Sequence, residues 1–170
     1  MKIEYFKKLG KGNHLRFHGG PKMVEYLPKG CSIEQINELQ KLAPGYFPKA
    51  YKEYLFLAGE HHYLYDSGIG FCMAELPDIQ EEAKELLSED GYEIDGPFWV
   101  IDILYNDQFH FFYLDGNDNP AIYHWIGSDE EHFSGYTNGI KKVSNRLNRY
   151  IEEKIPSKAE NFIYKIINRK

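Results

Sequence analysis

Seven histidines, two cysteines and 26 acidic residues are the groups in this chain that could do chemistry. A metal centre is the first possibility that the histidines raise. His61 and His62 are adjacent, so in a strand their side chains would point to opposite faces. On the register expected below His110 lies among Ile and Phe residues, and His124 sits on a third strand. No H-E-x-x-H and no paired C-x-x-C spacing occurs, so the expectation is no metal. Cys31 and Cys72 lie far apart. Buried or inert thiols suit them better than a disulfide framework, and an apolar setting around Cys72 would raise its pKa and quench nucleophilicity. Asp102, flanked by Ile101 and Ile103, could have a raised pKa and act as an acid. A buried, hydrogen-bonded structural aspartate accounts for it more simply. Asp115 to Asn119 has the opening of a calcium loop, but Pro120 stands where that loop needs Gly and Ile126 where it needs a bidentate Glu. Gly68-Ile69-Gly70 is too short to cradle phosphate, and no P-loop lysine follows. No catalytic constellation emerges, and the expectation is no bound catalytic metal, no cofactor and no clustered nucleophile–base pair.

Charge is the more informative pattern. The formal net charge is −6. From Glu75 to Glu131 there are sixteen Asp/Glu and one base, Lys84, whereas the rest holds ten acids and nineteen bases. The central segment is thus a poor surface for nucleic acid, whose phosphates need cationic neutralisation. It is a good surface for a basic protein. A solvated acidic surface balanced by basic flanks accounts for the same numbers. The candidate contact residues are Glu81, Glu82, Glu85, Glu89, Asp90, Asp129, Glu130 and Glu131, with Tyr92 as an aromatic anchor.

These residues have to be placed by the fold. A chain of 170 residues with 16% aromatics fits one folded domain over 1–170. The densest strand signal runs from Pro97 to Ile126 and contains both tryptophans, Trp99 and Trp125. It predicts three strands in series, with Phe98–Tyr105 paired with Gln108–Leu114. Asn106-Asp107 suits a two-residue turn pairing Tyr105 with Gln108. That register puts Trp99, Ile101, Ile103, His110, Phe112 and Leu114 on one face, and Phe98, Val100, Asp102, Leu104, Phe109, Phe111 and Tyr113 on the other. Both faces are largely apolar and call for cover.

Helices flank the strands. Ser32 and Gln35 form a capping box ahead of Ile33, Ile36 and Leu39. A second helix opens at Pro48 with Phe47, Tyr51, Tyr54, Leu55 and Ala58 on one face, and Gly59 ends it. His62–Tyr65 and Ile69–Met73 suggest a strand pair. Asp78 and Glu81 suggest a capping box for a helix over Asp78–Ser88, with core stripe Ile79, Ala83, Leu86 and Leu87 and an acidic opposite face. Thr137 reads as the cap of a helix carrying Ile140, Val143, Leu147, Tyr150 and Ile151. Ser157 opens a last helix, 157–168. Glu4–Phe6, Leu15–Phe17 and Met23–Leu27 read as short strands or irregular cover. The expected class is α+β: a central, mainly antiparallel sheet with helices around it.

The order of these parts resembles the SUKH superfamily, which includes fungal cell-wall assembly regulators and many bacterial immunity proteins. The family pattern Pro-x-x-Tyr-x-x-Phe-Leu, ending in a glycine turn, is matched by Pro48, Tyr51, Tyr54, Leu55 and Gly59, with Tyr54 in the Phe position. The family's later strands resemble Trp99–Tyr105, Phe109–Leu114 and Ala121–Trp125. The likeness covers roughly 32–155. The family's Asn-Gly-Gly is replaced by Ala58-Gly59-Glu60, and its closing Phe by Val143. The resemblance implies a non-enzymatic binding domain with Tyr51, Tyr54, Leu55, Gly59, Trp99 and Trp125 as structural residues. It also implies a cytoplasmic immunity protein, read as a monomer, that binds a cognate toxin, often a nuclease. A regulatory scaffold binding a host protein is the alternative. No apolar stretch approaches the ~20 residues of a membrane span, and the N-terminus has no signal-peptide pattern.

Overall fold

The computed structural model describes residues 1–11, 14–16, 24–26, 28–60, 73–127 and 134–155. Its centre is a four-stranded antiparallel sheet of β3 (Phe98–Leu104), β4 (Gln108–Tyr113), β5 (Ile122–Ile126) and β6 (Ile140–Ser144), in that spatial order. Two short strands, β1 (His14–Arg16) and β2 (Val24–Tyr26), form a separate antiparallel pair. The helices are α1 (Ile33–Gln40), α2 (Lys49–Ala58), α3 (Leu76–Glu89) and α4 (Leu147–Glu152). This is the expected α+β architecture. The sequence-predicted segments 62–73 and 157–168 lie outside the described residues, apart from Met73, which sits in a turn before α3.

The β3–β4 hairpin forms, but its turn differs from the expected one. Leu104, not Tyr105, stands opposite Gln108, so Tyr105-Asn106-Asp107 makes a three-residue connection. Tyr105 and Asn106 both take left-handed backbone, at φ 54 and 65. The one-residue slip puts Asp102 opposite His110 and Ile103 opposite Phe109. Facing cross-strand partners share a face of the sheet, so Asp102 and Ile103 exchange the faces expected of them. The register then shifts between Val100 and Asp102, where Ile101 is the extra residue of a bulge. The bulge restores the parity beyond it, and Trp99 faces the same way as Phe112, as expected.

One face, carrying Trp99 and Phe112, packs on α2. Tyr51 meets Phe112 edge-on at 5.1 Å, and Phe47 meets Trp99 at 4.8 Å. The same face carries His110, whose ring lies 5.2 Å from Tyr150 of α4. On the opposite face Phe109 stacks on Trp125 at 4.8 Å, and Tyr92, just beyond α3, reaches Trp125. Phe109, Phe111 and Phe112 are all fully buried, so both faces are covered. Burying such aromatic area is the main stabilising term.

The helices show which local signals held. Ser32 and Gln35 make the reciprocal capping box of α1. Ile36 and Leu39 are buried while Ile33 is exposed, so the apolar stripe is narrower than expected. Pro48 caps α2, and Ala50, Tyr51, Tyr54, Leu55 and Ala58 are buried. Gly59 follows α2 because of close approach: a Cβ there would lie 2.7 Å from the Leu55 backbone and 2.8 Å from Cys31 Sγ.

Two expectations need correction. Helix α3 begins at Leu76, with Glu75 as its cap and no side-chain capping bond. Pro77 sits in the first turn, where its fixed φ suits the helix and its missing N–H is not needed. Asp78 is therefore a first-turn acid near the positive helix end, not the cap. The second correction is larger. Ile140–Ser144 is strand β6, and only Leu147–Glu152 is helical. Asn138 and Gly139 have φ 48 and 65, as a tight primed hairpin turn requires, with Thr137 and Ile140 exchanging bonds of 3.0 and 3.1 Å. Ile140 and Lys142 stand opposite Trp125 and Tyr123.

The N-terminal residues 4–6 are irregular cover tied to α2. Glu53 has no exposed surface, yet its carboxylate accepts from the backbone N–H groups of Glu4, Tyr5 and Phe6 at 2.8–3.4 Å. That carboxylate holds Phe6 against Tyr54, with ring centroids 5.9 Å apart.

Candidate partner-binding surface

Ile79, Ala83 and Leu87 turn inward from α3, which leaves Glu81, Glu82, Glu85 and Glu89 exposed along its outer side. Asp90 is also exposed and follows directly as the C-cap. The helix thus brings together five of the expected contact residues. Lys84 is the base among them, and it pairs with Glu81 at 2.7 Å. Acids at the C-terminal end of a helix oppose its dipole, and like charges one turn apart repel, each effect worth a few tenths of a kcal/mol. No base stands in the last turn of α3 to offset them.

Tyr92 is half-buried and packs 6.3 Å from Trp125, so it is part core and part surface. Asp129, Glu130 and Glu131 lie outside the described residues. The expected structural residues Tyr51, Tyr54, Leu55, Gly59, Trp99 and Trp125 are all buried. The two tryptophans lie on opposite faces of the sheet, since they pair with Phe112 and Phe109.

Beside the N-terminal half of α3 lies a groove of about 520 Å³ that sequence patterns did not reveal. Leu42 and Pro44 of the α1–α2 connection form one wall. Pro77, Asp78, Gln80, Glu81 and Lys84 of α3 form the other, and the Gly96–Trp99 stretch forms the floor. Its apolar surface is mostly proline, leucine and phenylalanine, and its acids lie toward α3. Gln80 fixes the helix to the sheet. Its side-chain amide donates to the Val100 carbonyl and accepts from the Val100 N–H, both at 3.0 Å. A glutamine thereby takes the place of a neighbouring strand along part of the β3 edge.

A second polar cluster sits under α4. Asp102, almost wholly buried, accepts from both the backbone N–H and the Nδ1 of His110, at 3.1 and 2.7 Å. This fixes the His110 ring, which lies 4.7 Å from that of His124. His124 Nδ1 meets the Tyr136 hydroxyl. Burial first, then the neighbouring His110, lowers the His124 pKa to about 4. The cluster has the orienting half of an acid–base site, an aspartate holding a histidine. It also locks the bulged end of β3 to β4 and β5. Cys31 is buried in the core beside Gly59. Among the described residues no group of three or more His, Cys, Asp or Glu is arranged to hold a metal ion. His61, His62 and Cys72 lie outside them.

No protein-family model matches the chain, and no curated protein is significantly similar to it in sequence. Among the described residues no helix is long and apolar enough to cross a membrane.

Proposed function

We propose that this chain is a non-enzymatic protein-binding domain of the SUKH type, acting in the cytoplasm as an immunity protein that neutralises a cognate toxin. The observation that carries the reading is the outer face of α3. Glu81, Glu82, Glu85, Glu89 and Asp90 are exposed there together, at a cost in helix stability that the fold does not require. A basic partner would relieve that cost. Nucleases fit this description, because a groove that binds phosphates is cationic. An acidic inhibitor gains association rate by steering and blocks the substrate's own contacts.

The test first looks beside the gene for this chain for a large secreted protein that ends in a toxin domain, and takes that domain as the candidate partner. Co-expression with this chain should restore growth that the toxin domain alone abolishes. Glu81→Lys, Glu82→Lys and Glu85→Lys together should slow association about tenfold at low salt and flatten its salt dependence, with little change in melting temperature. A toxin domain that this chain neither binds nor neutralises would remove the immunity reading. Unchanged binding by the triple variant would move the contact to another surface.

A further inference from the structure

The groove beside α3 is lined in part by the start of β3, where among the described residues no other strand pairs with the outer edge. Among the described residues β3 is an edge strand of the sheet. Leu114 N–H donates to the Pro97 carbonyl at 2.8 Å, and Phe98 stands opposite Tyr113. In an antiparallel ladder this makes Phe98–Tyr113 a non-hydrogen-bonded pair, so the N–H and C=O of Phe98 point away from β4. Val100, two residues on, points the same way, and Gln80 takes up both of its groups. One turn earlier on α3 stands Pro77, whose side chain has no polar atom. Phe98 lines the groove together with Pro77 and Leu42.

Three features coincide here: outward backbone groups, an apolar recess, and acids along one side. We propose that the groove receives an extended segment of the protein partner, paired along Phe98 by β-strand addition. One apolar side chain seats between Leu42, Pro44 and Pro77, and an adjacent Lys or Arg faces Asp78 and Glu81. Backbone pairing supplies affinity without sequence choice, while the recess and the acids supply the choice. A recess of about 520 Å³ is large enough for such an anchor. The charge favours a basic segment: among the described lining residues Lys84 pairs with Glu81, which leaves Asp78 as the acid without a paired base and the wall net acidic. This inference rests on the partner-binding reading above and names the element of the partner that is held. Charges on α3 speed the encounter, and the groove sets how long the complex lasts.

The test uses the full isotope-labelled chain and a synthetic probe, acetyl-Lys-Leu-Lys-Leu-Lys-Leu-amide. Titration should shift the backbone amide signals of Phe98 and Gln80. An N-methylated version of the probe, unable to pair, and a version with Glu in place of Lys should each bind at least about tenfold more weakly, the size of one lost anchor. Leu42→Lys should weaken the probe similarly. Leu42 is 59% exposed, so this variant should keep the parent melting temperature. Shifts confined to Glu82, Glu85 and Glu89, with Phe98 unmoved, would overturn the groove and leave the acidic-face reading intact. Absence of binding, or self-association of the chain through the groove that Leu42→Lys abolishes, would also overturn it. Growth protection against the toxin domain is scored separately and decides the immunity reading.

Discussion

The indole N–H of Trp99 donates to the hydroxyl of Tyr51 at 2.9 Å, joining the sheet to α2 inside the core. Both residues are 1% exposed. Burial pushes the Tyr51 pKa upward, so the hydroxyl stays neutral and keeps this bond at any pH the protein meets. Tyr51→Phe should cost about 1–3 kcal/mol, because it strands a buried donor. Trp99→Ala should cost about 3–5 kcal/mol through the cavity it leaves. Urea denaturation of both variants checks the order. A Tyr51→Phe midpoint equal to the parent's would mean that the indole finds another acceptor.

Glu53 ties the N-terminal segment to α2 through three backbone N–H groups. Glu53→Ala should destabilise by about 3 kcal/mol, since bonds to a charged acceptor are worth more than neutral ones. Its signature is local: amide exchange at Glu4, Tyr5 and Phe6 should accelerate more than exchange in β4. Equal acceleration everywhere would show that the segment unfolds only with the whole domain.

Acid should weaken the fold through His124. Its pKa falls from 6.5 to about 4 on folding, with burial the main cause and His110 the next. The unfolded chain therefore binds the proton more readily. The neutral ring's contribution is fully present above pH 6.5 and is lost as pH falls toward 4. Allowing for partial solvent screening, the loss is on the order of 1–2 kcal/mol. Melting temperature should drop across this window in the parent and drop less in His124→Gln. Parallel profiles for the two proteins would assign the acid sensitivity to other groups.

The turn before β6 depends on Gly139. Its φ is +65, and a Cβ there would lie 2.8 Å from the Ile126 carbonyl oxygen. Gly139→Ala should cost about 2 kcal/mol, from left-handed backbone strain and the contact together. Asn138→Gly, at φ 48, should be tolerated. Thermal melts of the two variants give the comparison, and a harmless Gly139→Ala would contradict the hairpin.

Legibility followed the range of the interaction. The α1 capping box and the inward face of α2 depend on neighbours three or four residues away, and both form as the spacing predicts. The β6 hairpin also had a local signal, Asn138-Gly139, but Thr137 and the helical spacing of Ile140, Val143 and Leu147 competed with it. Pairing with β5 settled the conflict, because an unpaired edge beside Trp125 leaves backbone groups unsatisfied. The acidic face of α3 was legible because charge order along a helix is visible in the sequence. The groove was not, since its two walls come from residues 33 to 42 positions apart in the chain.

The sequence by itself determined the α+β class, the β3–β4 hairpin, the burial of Trp99 and the segregation of acids onto α3. Those features rest on residue type and short spacing, which any compact fold of this chain must respect. Tertiary structure alone decided that Glu53 is buried as an anchor, that Asp102 faces His110, and that Gln80 covers Val100 while Phe98 lines the groove. A one-residue slip at Tyr105 and a bulge at Ile101 set the pairing of Asp102 with His110. Strand parity reverses with each such step, and only the packing of both faces fixes how many steps occur.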